Sequence, residues 1–183
     1  YVAGSGREAE SSLVWVDRKG AARPLTETRR AYGNPRLSPD GRRLAVTIYG
    51  TTQDIWVYES GRDTLTRLTF ESDNRMPVWS PDGKRIAYGS RKAGAFTLYW
   101  KPADGSGAEE RLTTSENDQH ATSWSSDGKF LAFMETAPAT GLDIWVLPLE
   151  SERKRRPFLQ TQFNQAAAAF SPDGQWLAYS SNE

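Results

Sequence analysis

Short apolar clusters alternate with polar turns along this chain, and the alternation itself repeats. A bulky apolar residue (Leu37, Trp79, Trp124, Phe170) precedes Ser38-Pro39-Asp40-Gly41, Ser80-Pro81-Asp82-Gly83, Ser125-Ser126-Asp127-Gly128 and Ser171-Pro172-Asp173-Gly174. An apolar-Ala-apolar triplet follows each: Leu44-Ala45-Val46, Ile86-Ala87-Tyr88, Leu131-Ala132-Phe133 and Leu177-Ala178-Tyr179. The pattern predicts a strand, a tight turn and a second strand. Pro after Ser presets φ for the first corner of a type I turn, and the closing Gly tolerates φ > 0.

A second kind of hairpin alternates with the first. Leu13-Val14-Trp15-Val16 pairs with Arg23-Pro24-Leu25-Thr26, Ile55-Trp56-Val57-Tyr58 with Leu65 to Thr69, Leu98-Tyr99-Trp100 with Arg111-Leu112-Thr113, and Ile144-Trp145-Val146-Leu147 with Pro157-Phe158-Leu159. The leading strand of each pair is apolar at adjacent positions, which predicts burial on both faces. The trailing strand is more polar, as an outer edge requires, and Pro24 is tolerated only at such an edge. The turn glycines recur at intervals of 42, 45 and 46 residues. Four antiparallel strands per unit at that spacing predict the blades of an all-β propeller.

Lettering the strands a to d from the channel outward, residues 33–72, 73–117 and 118–165 make three whole blades, and 1–32 and 166–183 make half-blades. The beginning supplies a c–d hairpin and the end an a–b hairpin, so together they amount to a fourth blade equivalent. Three arrangements follow: a small closed ring, two chains joined in an eight-bladed ring, or a piece of a longer propeller. Tyr1-Val2-Ala3-Gly4 reads as the end of a further b strand, which duplicates the one supplied by Tyr179-Ser180-Ser181 and points to a larger parent. The Ala166 to Ala169 run is helical by propensity, but its place before the fourth turn makes it an innermost strand.

Composition changes this picture little. Seven Trp, seven Tyr and seven Phe beside 15 Gly and 10 Pro describe short aromatic strands broken by turns. Lys plus Arg (23) balances Asp plus Glu (23), so net charge does not steer the chain to nucleic acid or an anionic membrane. There is no cysteine, which excludes disulfides, thiol nucleophiles and cysteine-ligated zinc. No apolar run approaches the roughly 18 residues of a membrane span, and the start has no signal-peptide profile, which suggests a processed protein or an excised piece.

Candidate chemistry is weighed against the repeat. Asp40, Asp82, Asp127 and Asp173 recur with the turn, so each is expected to accept backbone N–H groups there. Asp54 and Asp143, each just before a Trp-containing strand, are expected to be structural for the same reason. Residues that vary at a repeating position are better candidates, because the ring holds the frame and varies what lines its channel. The entry to strand a gives Tyr32-Gly33-Asn34, Asn74-Arg75-Met76, Gln119-His120-Ala121 and Gln165-Ala166-Ala167. Tyr32, Asn34, Asn74, Arg75, Gln119, His120 and Gln165 are thus expected at one channel mouth, as a site for a peptide end, a carboxylate or a sugar. The single His and the absent Cys argue against a transition-metal site, and no cofactor is expected. Arg153-Lys154-Arg155-Arg156 is read as a solvated hairpin tip, offset by Glu150 and Glu152.

The run Trp79 to Tyr88, with Asp54-Ile55-Trp56-Val57 and Leu68-Thr69, resembles the WD-like repeats of the TolB-type propeller family. Leu13 to Gly20 is similar to the version found behind bacterial receptor-type serine/threonine kinase domains. The resemblance implies a periplasmic or otherwise extracytoplasmic propeller that serves as a platform for a protein or peptide partner. Such repeats also form the propellers of prolyl-oligopeptidase-like peptidases and of an oligogalacturonide lyase. This chain has no Gly-x-Ser-x-Gly elbow, and its one His cannot supply the several imidazoles of a lyase-type metal site. The expectation is therefore a non-catalytic binding scaffold. Its alternatives are the propeller part of a peptidase or polysaccharide lyase, and a half-ring that dimerises into an eight-bladed propeller.

Overall fold

A computed structural model of the chain describes residues 2–3 (as backbone), 10–150 and 152–183. Seventeen strands are present among these residues, and no helix. The first sheet holds β1 (Val2–Ala3), β2 (Ser12–Val16) and β3 (Ala22–Pro24). The second holds β4 (Ala31–Leu37), β5 (Arg43–Tyr49), β6 (Gln53–Glu59) and β7 (Thr64–Arg67). The third holds β8 (Asn74–Trp79), β9 (Arg85–Ala93), β10 (Ala95–Pro102) and β11 (Glu110–Arg111). The fourth holds β12 (Gln119–Trp124), β13 (Phe130–Ala137), β14 (Gly141–Pro148) and β15 (Arg156–Leu159), and β16 (Gln165–Phe170) with β17 (Leu177–Ser181) forms the last. Every pairing is antiparallel and between consecutive strands.

The turn chemistry works as the sequence requires. In each Ser-x-Asp-Gly turn the Gly N–H donates to the Ser carbonyl at 2.9 Å, and the four glycines have φ between 68° and 78°. The Ser hydroxyl donates to the Asp carboxylate, which also accepts the backbone N–H of Arg42, Lys84, Lys129 or Gln175. These hydrogen bonds, the Ser contact foremost, hold all four carboxyls below the usual aspartate range. The repeated aspartates are turn braces.

The apolar cores lie between successive sheets. Leu13 of the first sheet packs with Tyr32, Val46 and Ile48 of the second. Ala45, Ile55, Val57 and Leu68 of the second meet Trp79, Ile86, Tyr88 and Tyr99 of the third. Val78, Leu98 and Trp100 then meet Ala121, Leu131 and Phe133, and Ala132 and Ile144 meet Ala168. The three inner sheets are therefore covered on both faces by their neighbours, which is why their c strands are apolar at consecutive positions. The last strands, β7, β11 and β15, are largely exposed, and Pro24 sits on the outermost strand of its sheet.

Of the three arrangements, the small closed ring is not the one seen, and the reading of the basic run is corrected. The terminal hairpins do not share a sheet. Val2–Ala3 already pairs with Leu13 and Ser12 on the inner edge of β2, where a strand from the other end would have to bind, and β16–β17 stands as a separate two-stranded sheet. The sheets thus form an open arc of five. Tyr1 and Gly4 lie outside the described residues. The basic run is also not simply solvated. Arg153 turns back to pair with Glu110 and stacks on Trp100 at 4.8 Å, and Arg155 pairs with Glu135 and stacks on Trp145 at 4.6 Å. Only Lys154 and Arg156 of the four stand exposed.

Candidate functional site

The entry to strand a is shaped by a bulge that recurs in every a–b pair, between Gly33 and Arg36, Arg75 and Val78, Ala121 and Ser123, and Ala166 and Ala169. At three of the four, a non-glycine residue takes positive φ: Asn34 (50°), Met76 (57°) and Ala167 (55°). Such a bulge re-aims the side chains just before it. Because neighbouring residues point to opposite faces, Asn74 turns back toward the preceding blade and Arg75 forward to the next.

The seven candidates separate accordingly. Asn74, Gln119 and Gln165 are fully enclosed and do not open to a channel mouth. Asn74 Nδ2 donates to Asp54 Oδ1 at 3.4 Å and to the carbonyls of Glu71 and Ser72. Asp54 in turn accepts from Arg67 at 2.6 Å and from Thr69. Gln119 accepts from Thr113 and donates Nε2–H to Glu135 at 2.6 Å, and Gln165 donates to Thr161 at 2.8 Å. The enclosed amides tie strand ends at the blade junctions through their N–H groups, while the buried Asn74 Oδ1 and Gln165 Oε1 have no hydrogen-bond partner. Tyr32 is also buried, with its hydroxyl on the Thr28 carbonyl, and burial pushes its phenol up from the ordinary value. Asn34 accepts the Tyr49 hydroxyl at 3.1 Å.

Arg75 and His120 remain half-exposed and come together across two blades. Arg75 Nη2 donates to His120 Nε2 at 2.9 Å. Both rest on Phe96, which is wholly buried: the Arg75 guanidinium lies 3.8 Å from the ring centroid, and the imidazole meets the ring edge-on at 5.5 Å. Arg91 approaches the same ring at 4.4 Å and lies 3.9 Å from Asp118, whose other oxygen accepts the Phe96 N–H. Gly89 makes the approach feasible, because a Cβ there would sit 3.0 Å from the Gln119 carbonyl and 3.4 Å from His120 Nδ1.

Sequence reasoning missed Arg91 and Phe96. The end of strand b is paired with the start of strand a (Asn74 with Ser90), so residues just after b belong to the same end of the blade. That topological rule would have added Arg91. Elsewhere, a groove of about 580 Å³ opens on the outer rim, lined by Arg43, Arg62, Thr64, Thr66, Arg67 and Asp104, away from the strand a entries. Among the described residues, no group of three or more His, Asp or Glu is placed to hold a metal ion, and no helix is long and apolar enough to cross a membrane.

Four-stranded antiparallel sheets stacked face to face, each starting with an inner strand and ending at an exposed edge, define part of a β-propeller. The chain belongs to the TolB beta propeller domain family, which matches it over residues 7–183. It is 27% identical over 186 residues to the uncharacterized peptidase YuxL of Bacillus subtilis (strain 168), covering 96% of this chain and 26% of that protein. It is 32% identical over 114 residues to the Tol-Pal system protein TolB of Anaeromyxobacter dehalogenans (strain 2CP-C), covering 61% of this chain and 26% of that protein. The chain thus spans about a quarter of the length of these relatives. In fold it is similar to the crystal structure of TolB from Acinetobacter baumannii, with a TM-score of 0.78 and 21% identity over 97% of this chain and 44% of that one.

Proposed function

We propose that this propeller segment is a non-catalytic scaffold that binds a protein or peptide through the strand a entries, centred on Arg75 and His120. The observation that carries the reading is their contact: of the varying entry residues, these two meet across a blade junction with part of their surface in water. Asn74, Gln119 and Gln165 serve that site by fixing the strands around it, and Asn34 borders the neighbouring entry. The likeness to a protein named for the Tol-Pal system supports a protein partner and an extracytoplasmic setting.

Selection of displayed peptides on the chain tests this. Peptides enriched on the wild type are expected to bind at least about tenfold more weakly to the Arg75→Ala/His120→Ala variant, a loss of about 1.4 kcal/mol. Equal binding to both would remove the strand-entry version of the proposal. A second reading, that the segment belongs to a peptidase, is favoured by the match to YuxL over nearly the whole chain. Its test is whether the reading frame around this segment encodes a hydrolase domain with a Gly-x-Ser-x-Gly elbow. The half-ring reading requires a dimer, and light scattering that gives a monomer mass at every concentration would end it.

A further inference from the structure

We infer that Asp104-Gly105 is a modification site, the pair at which this chain first forms isoaspartate. Five Asp-Gly pairs occur: Asp40-Gly41, Asp82-Gly83, Asp104-Gly105, Asp127-Gly128 and Asp173-Gly174. A glycine has no Cβ to shield its backbone nitrogen, so all five pairs meet the sequence requirement. The glycine nitrogen attacks the aspartate Cγ, a C–N bond forms, and the carboxyl OH leaves with the amide hydrogen as water. Water then opens the resulting succinimide at one of its two carbonyls. Opening at Cγ restores aspartate. Opening at the main-chain carbonyl leaves the chain running through Cβ and Cγ, with the α-carboxylate as the side group.

The fold separates one pair from the other four. At Asp40, Asp82, Asp127 and Asp173 a preceding serine hydroxyl donates to the carboxylate, at 2.6 Å in the first three. The same hydroxyl accepts the N–H of Arg43, Arg85, Phe130 or Trp176 at 2.9–3.0 Å. Each of these carboxylates is thereby tied to the mouth of a hairpin whose strands run five to nine residues. Pro102 stands in the place of that serine ahead of Asp104, in a turn closed the same way, with the Gly105 N–H on the Pro102 carbonyl at 3.1 Å. The hydrogen-bond partner of Asp104 is Ser106, an exposed neighbour whose N–H it accepts at 2.9 Å. This turn leads from β10 to the two-residue β11, and residues 103–109 lie outside both strands, so it opens locally at less cost than an a–b hairpin. Charge state does not separate the pairs, because hydrogen bonds hold all five carboxyls below the usual aspartate range. Attack requires Cγ to leave its contacts, and Asp104 lacks the preceding serine that resists this elsewhere. Isomerisation there puts a methylene into the main chain on the wall of the rim groove that Asp104 and Gly105 share with Arg43 and Thr66.

Incubation of the full chain for weeks at neutral pH and physiological temperature, followed by peptide mapping, tests this. Trypsin places the five pairs in five peptides, since Arg42, Lys84, Arg111 and Lys129 separate them. Each isoaspartyl peptide is resolved chromatographically from its parent of equal mass, and labelled methyl transfer by an isoaspartyl methyltransferase identifies it. Asp104 is expected to convert about tenfold faster than any other pair, the ratio that one hydrogen bond to a charged group supplies, and the five rates are expected to converge in urea. Pro102→Ser installs the missing hydroxyl and is expected to slow Asp104 about tenfold, while Ser125→Ala is expected to speed Asp127 by a similar factor. Should Ser125→Ala fold poorly, Pro102→Ser carries the same test. Conversion of any other pair within about twofold of Asp104, a ranking that persists in urea, or an Asp104 rate unmoved by Pro102→Ser would each overturn the inference.

Discussion

Glu135 on β13 ties together β12, the loop that precedes it and the segment leading into β15, and removing its ion pair tests how that end of the blade is held. The carboxylate is 4% exposed, accepts from Gln119 Nε2 at 2.6 Å and from Ser115 at 3.0 Å, and pairs with Arg155. It lies directly opposite Asp143, a second buried carboxylate whose donors are the neutral groups of Thr140 and Gln160. Arg155→Met would leave two buried carboxylates facing each other with neutral donors alone. Breaking a wholly buried pair costs about 3–5 kcal/mol; with the guanidinium 31% exposed, about 2–4 kcal/mol is expected here. Glu135→Leu leaves the enclosed Gln119 amide short of an acceptor, at about 1–3 kcal/mol, while Arg155 turns toward water.

The double variant removes the stranded charge, so its cost should stay close to that of Glu135→Leu alone. The two substitutions are therefore coupled by about the cost of Arg155→Met alone, about 2–4 kcal/mol. Urea unfolding followed by tryptophan fluorescence measures all three costs, with circular dichroism checking that the transition is two-state. A double-variant cost equal to the sum of the singles within about 0.5 kcal/mol would refute the claim that Arg155 acts through Glu135.

Three further outcomes follow. Ser80→Ala removes a hydroxyl that accepts the Arg85 N–H at 2.9 Å and donates to Asp82, and is expected to cost about 1–2 kcal/mol in chemical denaturation; a neutral result would mean that the turn holds without its brace. Gly141→Ala places a Cβ 2.3 Å from Asn164 Oδ1 at a φ of +85°, and should lower the melting temperature by several degrees, about 2–4 °C per kcal/mol in a chain of this size; an unchanged melt would show that the b–c turn of the fourth sheet relaxes freely. The four turn aspartates have folded-state values below their unfolded ones, so their stabilisation is present above about pH 4 and is lost as pH falls through the lower, folded values. Asp82→Asn should therefore be less stable than the wild type near neutrality and converge on it in acid; a stability difference that does not change with pH would contradict the assignment.

How much of this was legible in advance can be judged residue by residue. The Ser-x-Asp-Gly turns and the doubly apolar strands were readable because both depend on local rules: turn residues set their own dihedrals, and a strand buried on two faces must be apolar at consecutive positions. Those two signals sufficed for the strand order and for reading the repeated aspartates as structural. The strand a entries were identifiable as the varying positions, but not what they do there. Asn74 and Arg75 are neighbours in the chain, and nothing local says that one reaches back to Asp54 and the other forward to His120.

The sequence by itself determined the repeat, its four-stranded unit and the braced turns, since each strand and turn is written within a window of some ten residues and the whole set recurs every 42 to 46. Tertiary structure alone decided what lay between the units. It enclosed Asn74, Gln119 and Gln165, drew Arg153 and Arg155 back onto Glu110 and Glu135, and set Arg75, Arg91 and His120 around Phe96. It also left the two terminal sheets apart, because Val2–Ala3 already holds the edge of β2 that closure would need. The physical reason is the same in each case: burial and pairing across blades join residues dozens of positions apart, and their partners are fixed by how neighbouring sheets stack.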